Sequence, residues 1–125
     1  MALALYNLEE SNLNIQIFST KKCNDTKKAE RFFKERGIKY QFVDMKDKGM
    51  SKGEFNSVAQ VNGGLENMVN WEGKDKDLLA LIKYIADEDK LRKILDNPQV
   101  IKTPVVRNGK QSTLGYHPDI WKTWK

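Results

Sequence analysis

The stretch from Asn14 to Asp44 constrains the fold most, because its hydrophobic period changes twice over a short distance. "NIQIF", Asn14 to Phe18, alternates apolar and polar residues, the period of a strand. "NDTKKAERFFKERG" then puts Ala29, Phe32 and Phe33 on one side of a helix of about three turns, with Asn24, Asp25 and Thr26 as capping candidates and Gly37 as the stop. "IKYQFVD" returns to alternation. Strand, helix, strand with short joints is a βαβ unit, so the two strands are predicted to be parallel neighbours.

The chain then changes character. Ser51 followed three residues on by Glu54 is a capping box that opens a short helix through Val61, and "NGG" ends it. After a loop containing Trp71, "DKDLLALIKYIADEDKLRKIL" predicts helix with Leu78, Leu81, Ile82 and Ile85 on one side. Leu91, Ile94 and Leu95 continue the pattern beyond a break at Ala86 to Asp89, giving one broken helix or two joined ones. "NPQVIKTPVVRNGKQSTLGY" reads as two strands, with Asn108 and Gly109 giving the signal of a type I′ hairpin and hence an antiparallel pair. Pro118, just after His117, starts a short terminal helix that carries Trp121 and Trp124 back onto the body.

Residues 1–13, apolar and then acidic, lack the basic start of a signal peptide. They are expected to be a poorly ordered leader or extension of a single domain spanning 14–125, with a helical insertion over about 46–98. No apolar run approaches the roughly 18 residues a membrane helix needs, so membrane association is not expected. The net charge of +5 would suit nucleic acid. Lys and Glu are interspersed, however, and no basic block exceeds two residues, so a solvated face is expected and direct nucleic-acid binding is not.

One cysteine, Cys23, excludes an intrachain disulfide and points to a reducing cytoplasm. One Cys and one His cannot complete a tetrahedral metal set, so no metal is expected. A lone cysteine is often only a buried hydrophobe, but "KKCND" is polar on both sides, as suits an exposed loop end. Cys23 directly precedes the first helix, where unpaired N–H groups and the positive end of the helix dipole favour the thiolate. The N–H groups of Asp25 and Thr26 are expected near its sulfur, with positive charge from Lys21 and Lys22, while the Asp25 carboxylate opposes the shift.

The order β, α, β, helical block, β, β, α is that of the α/β thioredoxin-like fold: a four-stranded mixed sheet with helices on its faces, holding here an inserted helical subdomain. In that fold a cis proline before the third strand packs against the active-site cysteine, and Thr103-Pro104 in "IKTPVV" occupies that place. Arg107 beside the hairpin is by default a solvated turn arginine, with anion binding as the sharper reading. His117 is read as a helix cap and not as a catalytic group.

With "STKKCNDTKKAERFFKERGIKYQFVD", the helical insertion and "KTPVVRNGKQSTLGYHPDIW" together, the chain from about Asn14 to Lys125 resembles the arsenate reductase-like (ArsC/Spx) family. The resemblance implies that Cys23 is the catalytic nucleophile, with glutathione or another low-molecular-weight thiol as co-substrate, a glutaredoxin partner and no bound cofactor. It also implies, for arsenate-reducing members, three arginines around the oxyanion: one in the insertion, one before the cis proline and one about a dozen residues later. Here the arginines are Arg31, Arg36, Arg92 and Arg107; Thr103 precedes Pro104 and the later position falls near Tyr116. Arginine's planar fork is what holds a tetrahedral oxyanion, so reduction of arsenate itself is not expected, and Lys102 is the one nearby candidate substitute. Spx-type members carry a CxxC switch, whereas here Thr26 stands three residues after Cys23. The expected function is therefore that of a monomeric thiol-dependent oxidoreductase working through mixed disulfides, with Lys22, Asp25, Thr26, Thr103, Pro104 and Arg107 as stabilising or substrate-binding residues. The alternative is a non-enzymatic adaptor or transcription regulator that binds a protein such as RNA polymerase.

Overall fold

In the computed structural model, which describes residues 13–20 and 22–124, Ile15–Ser19 forms strand β1 at the centre of the sheet. Alternation explains its position: Ile15 and Ile17 are buried on one face and Phe18 on the other, so both faces must be covered. β1 pairs in parallel with β2 (Tyr40–Asp44), from Ile15 opposite Tyr40 to Ser19 opposite Asp44. On its other side it pairs antiparallel with β3 (Val105–Asn108), which pairs with β4 (Gln111–Leu114). The order β2-β1-β3-β4 is the mixed four-stranded sheet of a thioredoxin-like α/β fold.

Helix α1 (Asn24–Glu35) crosses between β1 and β2 and lays Ala29, Phe32 and Phe33 on Ile15, Ile17 and Val106. Its N-cap is Cys23 itself, in extended backbone, and not one of the three polar residues that follow. Gly37, at φ +67°, takes the left-handed conformation that stops the helix. Terminal helix α5 (Pro118–Trp121) closes the same face. Trp121 stands edge-on to Phe32 at 5.3 Å, and its indole N–H donates to the Thr113 hydroxyl at 2.8 Å. His117 holds the N-cap position of α5 but does not cap it; its Nε2 is paired with the Leu114 carbonyl at 2.6 Å.

The opposite face is covered by the helical block between β2 and β3. Helix α2 (Lys52–Val61) starts at the predicted capping box: Ser51 Oγ accepts from the Glu54 N–H at 3.1 Å, and the Glu54 carboxylate accepts from the Ser51 N–H at 2.8 Å. Helices α3 (Lys76–Tyr84) and α4 (Asp87–Asp96) are two separate helices broken at Ile85-Ala86. The side that α3 buries is centred on Leu79 and Ile82, whereas Leu81 is 44% exposed. The expected face through Leu78, Leu81, Ile82 and Ile85 is thus turned toward Leu79, because 78–82 is apolar throughout and what covers the helix selects the buried part; the Asp75 carboxylate, accepting from the Leu78 N–H, caps its start.

The hairpin also differs from expectation. Asn108 pairs with Gln111, so the two-residue loop is Gly109-Lys110, one step later than predicted. A type I′ turn needs positive φ at both central residues; Gly109 has φ +62° and Lys110 does not have positive φ. Glycine at the first position alone is the pattern of a type II′ turn. Asn108 stays in the ladder because its buried side chain accepts from the Asn14 N–H at 3.0 Å and donates to Gln111 at 3.3 Å. No helix among the described residues is long and apolar enough to cross a membrane. The predicted extension lies outside the described residues except for Leu13, which packs beside the α1 face.

Candidate functional site

Where β1 ends, a tight loop turns the chain into α1, and the Cys23 N–H donates to the Thr20 carbonyl at 3.4 Å. This places the half-buried Cys23 sulfur over the first turn of the helix. From the other half of the chain Thr103 meets it: the Thr103 hydroxyl donates to Sγ at 3.2 Å, and the Thr103 carbonyl lies 3.8 Å from the same sulfur. The Thr103-Pro104 bond is cis. Backbone bonds on both sides hold this segment in place, from the Lys102 N–H to the Met68 carbonyl and from the Gly115 N–H to the Pro104 carbonyl, each 2.8 Å.

Burial pushes the Cys23 thiol up, but hydrogen bonds outweigh it and leave the pKa below its ordinary value. In order, these come from the Thr103 hydroxyl, the Thr26 hydroxyl, and the N–H groups of Thr26 and Asp25. The helix N-terminus thus acts on the sulfur as expected, while Asp25, whose side chain is exposed, contributes through its backbone. Thr26 is buried against β1, where its hydroxyl and that of Ser19 are hydrogen-bonded to each other. Either oxygen can be the donor, so Ser19 can donate to Thr26 and leave the Thr26 hydroxyl proton for a thiolate.

A cavity of about 500 Å³ opens in front of the sulfur, lined among others by Thr20, Cys23, Asn70, Lys102, Thr103 and Gly115. A second, of about 510 Å³, continues past Thr20, Pro98 and Gln99 to Lys22, Met45 and Lys46. Lys22 therefore faces the adjoining space and does not line the cavity at the thiol, and Lys21 lies outside the described residues. Arg107 is not brought to Cys23. It is neither solvated nor at the thiol: it lies under α2, paired with Glu54 at 3.7 Å and donating to Gln16 at 3.0 Å. None of the four arginines lines the cavity at the thiol.

Two contributors had weak sequence signals. Ser19 continues the buried side of Ile15 and Ile17, and a polar group there requires a partner, but the sequence does not say which. Asn70 reaches the cavity because the Val69–Ile101 bridge and the bond from its N–H to the Val100 carbonyl pull its loop against the segment before Thr103. That pairing leaves no local pattern.

A thioredoxin-like sheet, one thiol at a helix N-terminus and, touching it, the threonine that precedes a cis proline define the class: a thioredoxin-fold protein with a single-cysteine site. Within that class the ArsC family model matches residues 18–124, and the chain belongs to the ArsC family. It is similar to the global transcriptional regulator Spx 2 of Oceanobacillus iheyensis, 23% identical over 82% of this chain and 87% of the relative. It is also similar to the protein YusI of Bacillus subtilis, 22% identical over 78% of this chain and 86% of the relative. Among solved structures, a YFFB protein superposes with a TM-score of 0.74 at 25% identity, over 89% of this chain and 98% of the other. An arsenate reductase from Vibrio cholerae shares the fold with a TM-score of 0.77 at 18% identity, over 90% and 98%.

Proposed function

We propose that the chain is a thiol-dependent oxidoreductase whose nucleophile is Cys23. The observation that carries this reading is the sulfur itself: it is hydrogen-bonded by the Thr103 hydroxyl, has its pKa lowered at the start of α1, and faces an open cavity. The Cys23 thiolate attacks one sulfur of a disulfide, the S–S bond breaks, and the leaving thiolate takes up a proton. The resulting mixed disulfide is attacked by a second thiolate, from glutathione, another small thiol or a glutaredoxin, which returns Cys23 as thiolate. Electrons thus come from the co-substrate thiol, and with one cysteine in the chain the intermediate stays intermolecular. A reducing cytoplasm is the compartment in which such a cycle runs. Arsenate is not part of the proposal, because no arginine lines the cavity.

The test is direct. The reduced protein is incubated with oxidised glutathione and its intact mass is followed; the expected result is one glutathione on Cys23, removed again by glutaredoxin. No adduct at a pH where Cys23 alkylates readily refutes the proposal.

A second reading is favoured by the similarity to a global transcriptional regulator: the chain is an adaptor that binds RNA polymerase through a face of the fold. Polymerase capture that persists in Cys23→Ser, together with no mixed disulfide in the wild type, selects this reading over thiol chemistry.

A further inference from the structure

The charge of this chain is not spread evenly. The stretch from Lys21 to Lys39 holds eight cations against three carboxylates, a surplus equal to the net +5 of the whole chain, so the remainder balances. Most of this stretch is α1, whose buried side is Thr26, Ala29, Phe32 and Phe33, leaving Lys27, Lys28, Arg31, Lys34 and Arg36 exposed.

Three of these cations border a groove of about 520 Å³ between α1 and the segment entering α5, formed by Lys28, Arg31, Glu35 and Arg36 with the rings of Phe32 and Tyr116. Ion pairs among the described residues involve Lys90, Arg107 and Lys122, so none of the three groove cations is neutralised by a carboxylate there. The groove holds two of them in place through its rings. The Arg36 guanidinium lies 3.7 Å from the Phe32 ring centre, and Lys28 Nζ lies 5.8 Å from that of Tyr116. Tyr116 is 40% exposed, and it follows Gly115, which lines the cavity at Cys23.

We propose that this groove docks an acidic polypeptide segment of a partner protein. Positioned cations without carboxylate partners attract an acidic surface from a distance and fix its register at contact. The arginine forks match spaced carboxylates well. Nucleic acid fits less well, because binding of single strands uses free aromatic faces for stacking. Here the faces of Phe32 and Tyr116 are already occupied by the protein's own cations. The inference is independent of the thiol chemistry.

The experiment measures fluorescence anisotropy of a labelled ten-residue peptide rich in aspartate and glutamate, at low salt and at about 0.15 M, where screening acts within about 8 Å. Lys28→Glu/Arg31→Glu is compared with Lys76→Glu/Lys83→Glu on α3, which changes the net charge equally at exposed positions. The expected result is at least tenfold weaker binding for the α1 pair and less than threefold for the α3 pair. Circular dichroism confirms the fold of each variant, and Arg31→Gln alone gives a smaller loss in the same direction. Equal weakening by both pairs overturns the proposal, as does absence of peptide binding at low salt. Tighter binding of a single-stranded oligonucleotide of equal charge, lost in the α1 pair, overturns it in favour of a nucleic-acid site.

Discussion

Replacing Thr103 by valine keeps the shape of the side chain and removes the hydroxyl that donates to the Cys23 sulfur at 3.2 Å. A hydrogen bond to a charged group contributes about 1.5–3 kcal/mol. The sulfur is half-buried and partly reached by water, so the lower end applies. About 1.5 kcal/mol is roughly a tenfold fall in the ratio of thiolate to thiol. The rate of alkylation does not fall by the whole of this factor, because a more basic thiolate is a better nucleophile, with a Brønsted coefficient near 0.5. At pH values well below the Cys23 midpoint, alkylation of Thr103→Val by iodoacetamide is therefore expected to be about threefold slower than wild type. Well above that midpoint it is expected to be about threefold faster. The two pH profiles must cross, which a change in access to the sulfur cannot produce, since access scales the rate by one factor at every pH. Thr103→Ser, which keeps the hydroxyl, should follow the wild type. Profiles of wild type and Thr103→Val that superimpose, or that differ by a constant factor, refute the reasoning.

Ser19→Ala removes the buried partner of the Thr26 hydroxyl, so urea denaturation should show a loss of about 1–3 kcal/mol. Tyr40, whose hydroxyl donates to Glu30 at 2.9 Å, is pushed up to about 12 by burial and then by that carboxylate. Its protonated form is the one the fold favours, so the stabilisation is complete below about 10 and is lost as pH rises through about 12. An absorbance titration should show Tyr40 ionising late, and Glu30→Gln should bring it down. Phe55→Ala, at a side chain with no exposure in the core on the helical-insertion side, should lower stability by about 3–5 kcal/mol in the same urea assay.

Much of this architecture is legible in the chain because its signals are local. The period change around Phe18, the Ser51 and Glu54 pair, Gly37 and Pro118 each decide the conformation of residues within one turn of themselves. Local signals fail where they compete with a distant partner. "NG" at Asn108 is a sound turn signal, yet the Asn108 side chain is engaged by Asn14, 94 residues earlier, and stays in the strand while the turn moves on by one. In α3 Leu78, Leu79, Leu81 and Ile82 make a wide apolar side, so what covers the helix, and not its own spacing, decides that Leu79 is inside and Leu81 outside.

The site divides along the same line, and the division bears on its chemistry. Cys23 at the head of a helix is readable, because the N–H groups that act on it belong to the next residues. The hydroxyl that reaches it from Thr103 lies 80 residues away, and the one supporting Thr26 comes from Ser19, on the strand before the loop. Only the fold brings these together. What it assembles is a set of neutral donors around one sulfur, with Lys102 as the cation among the cavity residues. Arginine forks suit a tetrahedral dianion best, and the arginine in the sheet, Arg107, is already paired with Glu54 under α2. In the proposed cycle a disulfide carries no charge at its reacting atoms, and negative charge returns to the Cys23 sulfur when the second thiolate displaces it. The hydroxyls and helix N–H groups around Cys23 stabilise the charge there, which is why we propose a sulfur electrophile rather than an oxyanion.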